Sequence, residues 1–304
     1  MKYVARRTGL SPHVIRVWER RYGAVQPQRS GTQRRLYSEA EIERLSLLAQ
    51  LSHAGHTISA VAHLSLEALR DLAAKAGNGP SDGGAPLLSP IDSGAALRAD
   101  CMRAVRLLDP ESLNAAFERA LIAFGSQGLL RIVLAPLAEE IGDSWEDGQI
   151  TAAHEHFFTA AAKVFLGLQT RDFTGGAGTR NLIACTPAGQ LHELGALMVA
   201  AAATNLGWRV TYLGPSLPAA EIAGAARQKA ATVVALSIVY PADDPNLPGE
   251  LFRLRHYLPP KTHLLVGGRA IQNYAPALAE IGAEVVHSLE EFSATLDKLR
   301  TAEV

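Results

Sequence analysis

Cysteine is nearly absent: Cys101 and Cys185 are the only two in 304 residues, too few and too far apart for a disulfide framework or a zinc knuckle. No run approaches the roughly 18 apolar residues of a membrane span, and Met1 to Arg7 lacks the apolar core of a signal peptide. The expected location is the cytoplasm, with no membrane partner. Aromatic residues are scarce at 6% and net charge almost cancels at −1, while 48% hydrophobic and 19% charged residues are the proportions of a globular protein. The length allows two or three ordinary cores.

The cancelled charge hides a shortage of acids at one end. Met1 to Tyr37 holds nine Lys or Arg against the single acid Glu19, a local charge of +8, so with the whole chain at −1 the remainder carries −9. A block of that kind marks a polyanion partner. Within it the sequence predicts a short helix over Tyr3 to Thr8, a break at Gly9, and a second helix from Pro12 to Arg21 that Ser11 caps. Val14, Ile15 and Trp18 on that helix form a core face, leaving His13, Arg16, Arg20 and Arg21 mostly outside. This is helix-turn-helix geometry. Arg29 to Tyr37 reads as a basic hairpin wing tipped by Gly31. Ser38-Glu39-Ala40-Glu41 is a capping box for a helix to about His53 with Ile42, Leu45, Leu48 and Leu51 inside, and a short helix over Ile58 to Leu64 closes the unit.

Four blocks in order, Thr8 to Ser11, Ile15 to Gly23, Pro27 to Arg29 and Arg35 to Glu39, resemble the MerR family of winged-helix transcription regulators. The resemblance implies promoter DNA as partner, with Ser11, His13, Arg16 and Arg20 facing the major groove and Arg21, Tyr22, Arg35 and Tyr37 holding phosphates. It assigns residues 1–76 to DNA binding.

Residues 77–94 carry five glycines and three prolines and read as a mobile linker. From Ala95 to about residue 170 the pattern is helical. Leu97, Cys101, Val105 and Leu108 form one stripe, and Leu113, Phe117, Leu121 and Phe124 a second, begun at Asp109-Pro110-Glu111. After a break at Gly125 to Gly128, Leu130, Val133, Leu134, Leu137 and Ile141 form a third. Ile150, Ala153, Phe157, Ala161, Val164 and Leu168 form a fourth. Four such segments predict a four-helix bundle over 95–170.

Residues 180–304 alternate strand and helix. Leu182 to Cys185, Arg209 to Leu213, Val233 to Ile238, His263 to Val266 and Glu284 to Val286 read as five strands, with helices beginning near His192, Ala219, Pro248, Gln272 and Glu290. The alternation predicts a Rossmann-like, flavodoxin-like five-stranded parallel sheet. The loop Thr186 to Gly195 follows the first strand, at the edge where open sheets place ligands. His192 stands there with Gln190 two residues before it. A polar neighbour that fixes one ring nitrogen makes the other a metal donor. An unliganded histidine near a helix start has the same local pattern, and Gly267-Gly268 by itself equally suits an ordinary turn.

Gln190 to Gly195, Ser237 to Val239 and Val266 to Arg269 resemble the cobalamin-binding Rossmann-like domain, and Trp145 followed after nine intervening residues by Glu155-His156 resembles the helical cap of the light-responsive, cobalamin-dependent MerR repressors of carotenoid synthesis. The resemblance implies cobalamin as cofactor, in its adenosyl form, with His192 as lower ligand to cobalt. Gln190 would then be the partner of His192, and Gly195, Ser237, Gly267 and Gly268 would line the slot for the nucleotide tail. Trp145, Glu155 and His156 would meet the upper axial group. Two positions depart from the family: Gln190 stands where an acid is commoner, and Glu146 follows Trp145 where the repressors have a cobalt-capturing histidine. His154 is out of helical phase with His156 and a poor substitute.

The function expected is a non-enzymatic, DNA-binding photoreceptor and repressor acting as a homo-oligomer, dimer or tetramer. The alternatives are a corrinoid carrier of a methyltransferase system, and a MerR regulator that senses another tetrapyrrole or a protein partner.

Overall fold

In the computed structural model, which describes residues 2–10, 12–29, 35–76, 93–170 and 180–301, the chain divides into two units, Met1–Phe165 and Leu166–Val304. The first opens with helices α1 (Lys2–Thr8) and α2 (Pro12–Tyr22). Val14, Ile15 and Trp18 are fully buried, as their spacing predicts. Strands β1 (Gln28–Arg29) and β2 (Arg35–Leu36) pair antiparallel as the wing, whose tip at Gly31 lies outside the described residues. Helix α3 (Glu39–His53) begins with the expected capping box: Ser38 accepts from the Glu41 N–H while Glu41 accepts from the Ser38 N–H. Helix α4 (Ile58–Val61) is shorter than its pattern suggested, and α5 (Leu66–Ala76) is a helix that the sequence reading did not include.

Of the predicted linker, 77–92 lie outside the described residues, and Ser93 and Gly94 already belong to the next helix. Ser93 caps α6 (Gly94–Arg106) by accepting from the Ala96 N–H. Leu108, expected in its stripe, is 45% exposed with a φ of 51°. The helix ends before reaching it. Asp109 caps α7 (Pro110–Gly128), which does not stop at the predicted break. Gly125, with φ 70° and ψ −179°, kinks the helix, and the chain continues through a π-helical turn, Leu129–Leu134, into α8 (Ala135–Glu146). Contrary to the sequence reading, the stretch Pro110–Glu146 is long and apolar enough to cross a membrane by length and composition, but 72% of its apolar window is buried inside the protein. It is a core helix.

Helix α9 (Ala152–Thr170) corrects the fourth stripe. Ile150 is buried as expected, but the helix buries Phe158, Ala162, Phe165 and Leu166, leaving Ala153 exposed and Val164 65% exposed. The side chain of Leu168 lies outside the described residues. Phe158 and Phe165 stand edge-on to Phe117 of α7, at 6.4 and 5.3 Å between ring centres. A one-residue rotation, about 100° on a helix, exchanges Phe157 for Phe158 as the ring that packs there.

The second unit is a five-stranded parallel sheet: β3 (Asn181–Pro187), β4 (Arg209–Leu217), β5 (Val233–Ser237), β6 (His263–Gly267) and β7 (Glu284–Val285), in the order β4-β3-β5-β6-β7. That is the flavodoxin order expected. The helices are α10 (Leu194–Asn205), α11 (Ala219–Gln228), α12 (Leu247–Tyr257), α13 (Ala275–Glu280) and α14 (Leu289–Thr301). A short 3-10 turn, Ile271–Tyr274, precedes α13 where a helix from Gln272 was expected. One core joins Ile183, Val234, Leu236 and Val266 of the strands to Ile222 of α11 and Leu251 of α12. The chain leaves β3 to pair β4 on one side and returns to pair β5 on the other, so β3 and β5 form the switch point. In open sheets ligands are placed beyond the carboxyl ends of such a pair.

Candidate functional site

The loop after β3 is built before it meets any ligand. The Thr186 hydroxyl donates to the Gln190 carbonyl and accepts from the Ser216 N–H at 2.8 Å. The Gly189 N–H donates to the Ser216 hydroxyl at 3.2 Å, and at φ 86° an added Cβ on Gly189 would lie 2.7 Å from Asp244 Oδ2. Beyond His192, the Tyr212 hydroxyl donates to the Glu193 carboxylate. Burial, then that bond, pushes the Tyr212 phenol above its ordinary pKa and keeps it a donor. None of Thr186, Ser216 or Tyr212 was singled out in the sequence. The bonds that tie this loop to β4 span 19 to 30 residues, and no local pattern marks them.

His192 sits partly exposed in this loop, its ring edge-to-face with Tyr240 at 5.7 Å and 88°. Gln190 is fully buried, and its amide does not serve His192 as expected. Its Oε1 accepts from the Val239 N–H and its Nε2 donates to the Pro241 carbonyl, both at 2.9 Å. Gly195, in the first turn of α10, leaves room for the buried Ser237: a Cβ there would lie 2.4 Å from Ser237 Oγ. The glycine pair ending β6 is likewise explained from within. A Cβ on Gly268, at φ 114°, would lie 2.3 Å from the Ile238 carbonyl oxygen, and one on Gly267 3.0 Å from that of Val286. These glycines let main chain approach main chain.

In the first unit Trp145 is partly buried near the end of α8, and its carbonyl accepts from the Gly148 N–H in the turn to α9. The Glu155 side chain, 20% exposed, accepts from the Thr159 hydroxyl at 2.8 Å. The His156 side chain is 78% exposed, its Nδ1 3.4 Å from Glu155 Oε2. His154 is bound to Thr151 at 2.8 Å.

On the basic end, Arg16, Arg20 and Arg21 are exposed on α2, and the Arg21 guanidinium lies over the Tyr22 ring at 5.6 Å. Ser11 and the side chain of His13 lie outside the described residues. Arg35 and Tyr37, expected on phosphates, are turned to Glu19 of α2. Arg35 Nε donates to both carboxylate oxygens, at 3.1 and 2.7 Å, and the Tyr37 hydroxyl lies 3.5 Å from one of them. Glu19, the only acid of that block, thus ties wing to helix.

Comparison with known proteins follows this division. The MerR HTH family regulatory protein profile matches residues 1–67, and two B12 binding domain profiles match 97–168 and 180–297. The chain carries a MerR HTH domain followed by B12-binding domains. It is 29% identical over 285 residues to the HTH-type transcriptional repressor CarH of Myxococcus xanthus, covering 93% of each chain. It is also 29% identical over 311 residues to the HTH-type transcriptional repressor CarA of the same organism, covering 100% of this chain and 98% of that one. Among solved structures, the monomethylamine corrinoid protein of Methanosarcina barkeri superposes with a TM-score of 0.56 at 15% identity, covering 68% of this chain and all of that one. At that identity the likeness is one of fold.

The residues at the carboxyl edge of the sheet suit a metal carried in a macrocycle better than a bare ion. Among the described residues no three His, Cys, Asp or Glu gather as a cage. A metal that brings its own planar ligands needs a single axial donor, and His192 offers one on a loop held at both ends. Leu191 and Tyr240, 70% and 52% exposed, flank it with apolar surface of the sort a flat ring covers.

Proposed function

We propose that this MerR-type regulator is a cytoplasmic, non-enzymatic repressor whose hold on promoter DNA is governed by adenosylcobalamin, and through it by light. The division proposed is DNA binding by 1–76, a linker over 77–94, a helical cobalamin cap over 95–170 and the cobalamin-binding sheet over 180–304, in a homodimer or homotetramer. What supports the reading most is His192, partly exposed at the switch point of a B12-binding sheet, in a chain that also presents Arg16, Arg20 and Arg21 on an exposed helix face.

In this reading Ser11, His13, Arg16 and Arg20 read bases, and Arg21, Tyr22, Arg35 and Tyr37 hold phosphates, Arg35 and Tyr37 while also bracing the wing through Glu19. His192 would hold the cobalt, and Gln190, Gly195, Ser237, Gly267 and Gly268 would line the slot for the nucleotide tail. Trp145, Glu155 and His156 are assigned to the adenosyl side. Adenosylcobalamin supplies a cobalt–carbon bond that light cleaves. Glu146 leaves no imidazole next to Trp145 to retain the cofactor afterwards.

Protein purified from cobalamin-fed cells in the dark should be coloured, shift its own upstream DNA in a gel, and lose the shift after green illumination. His192→Ala should lose the colour. A colourless wild type refutes the cofactor. A coloured protein that ignores its upstream DNA would be a corrinoid carrier, a reading that leaves the exposed arginines of α2 without a task.

A further inference from the structure

An imidazole that serves as an axial donor has to be oriented by something. The residue expected to do this, Gln190, has its amide committed elsewhere. Its two hydrogen bonds straddle Tyr240, reaching the Val239 N–H on one side and the Pro241 carbonyl on the other. The same segment is tied again further along, where the Asp244 N–H donates to the Tyr274 hydroxyl at 2.8 Å and Asn273 Nδ2 to the Ala242 carbonyl at 2.9 Å. The backbone bearing Tyr240 is therefore anchored on both sides of it, and the Tyr240 ring stands at 88° to His192, 5.7 Å away. The pair has the perpendicular geometry in which a ring edge meets a π face.

We propose that Tyr240 is the positioning residue for His192, and that Gln190 acts on the imidazole through Tyr240 rather than directly. The arrangement also explains why an amide stands at position 190. A carboxylate could still accept from the Val239 N–H, but ionised it has no proton to donate to the Pro241 carbonyl and would face that oxygen in a buried site. The chain gives up a charged holder for its histidine and gains a neutral, aromatic one. The consequence for cobalt ligation rests on the cofactor reading above, whereas the positioning itself is a property of the free protein.

The test uses the full-length protein with carbon-13-labelled histidine, the His192 imidazole signal being assigned by its disappearance in His192→Gln. Without cofactor, Tyr240→Ala should displace that signal and Tyr240→Phe should leave it near its wild-type position. Gln190→Leu should displace it in the wild-type background but add nothing to Tyr240→Ala, the non-additivity expected of residues acting in series. With adenosylcobalamin as probe, Tyr240→Ala should weaken binding about tenfold or more, the usual cost of removing a ligand's support, and Tyr240→Phe should restore it. A His192 signal unmoved by Tyr240→Ala, or one moved by Gln190→Leu even in the Tyr240→Ala background, overturns the proposal. Should the wild type take up no cobalamin, the cofactor reading falls while the cofactor-free spectra still decide the positioning. Tyr240 is half exposed, so its two variants decide the matter alone if Gln190→Leu does not fold.

Discussion

The indole N–H of Trp18, in the helix that carries the exposed arginines Arg16, Arg20 and Arg21, donates to the carbonyl of Ile122 at 2.8 Å, across 104 residues of sequence. Ile122 lies three residues before the kink at Gly125, where the interrupted ladder leaves carbonyls without their usual helical donors. The same glycine makes room for the reading head: a Cβ on Gly125 would lie 3.4 Å from Leu10 Cδ2 and 4.0 Å from Trp18 Cζ2. The winged helix is thus seated on α7 by its back, with Arg16, Arg20 and Arg21 exposed. The long linker between them in sequence does not make them independent.

Trp18→Phe keeps an aromatic ring in the core and deletes the bond to Ile122. A loss of about 1 kcal/mol is expected, somewhat more if the carbonyl stays dry. Denaturant unfolding of the full chain measures it, and an unchanged midpoint would show that the seat does not depend on this bond.

Gly268→Ala should be far more damaging than an exposed glycine substitution. It combines a φ of 114° with a 2.3 Å approach to main-chain oxygen that no side-chain rotation relieves. Strain and overpacking together predict a cost of about 3 kcal/mol or more. A thermal midpoint near that of the wild type would contradict the geometry.

Arg16→Ala and Arg21→Ala should fail in different ways on DNA. Losing a groove-facing arginine costs about 1 to 3 kcal/mol on the cognate site and relaxes sequence choice. Losing a phosphate-holding one weakens all sequences alike and lowers the slope of log affinity against log salt by about 1. Titrations against cognate and scrambled duplexes at several salt concentrations separate the roles, and identical behaviour would remove the distinction.

Cys101 and Cys185 are fully buried, and burial pushes both thiols up to about 12 from an ordinary value of 9.0. Both therefore remain unreactive thiols at pH 8. Because the folded values lie above the unfolded one, their contribution to stability is complete below about pH 9 and is lost as pH rises toward 12. Iodoacetamide at pH 8 should modify neither residue in the folded protein and both in denaturant, with mass spectrometry as readout. Rapid modification of Cys185 would show that the sheet opens.

Much of this protein is written locally. The Ser38–Glu41 capping box, the buried face of α2, the Asp109 start of α7 and the strand–helix alternation of 180–304 each depend on residues within a turn or two, and all are found where the sequence places them. So is the place of His192, since parallel alternation alone sends the loop after β3 to the carboxyl edge of the sheet. Packing alone decided the rest, because the deciding neighbours are remote. Phe157 and Phe158 are equally apolar, and which of the two faces the core is decided by the packing of Phe158 against Phe117. Gln190 matches a histidine-holder by spacing, yet it reaches main chain 49 and 51 residues on. The glycine pair ending β6 looks like a ligand turn in sequence, and only packing shows that the nearby Ile238 and Val286 main chain also requires glycine there. Periodicity and capping are short-range properties that a sequence carries in itself. Which of several equivalent side chains is buried, and which distant backbone a polar group satisfies, is settled only when close packing brings those partners together.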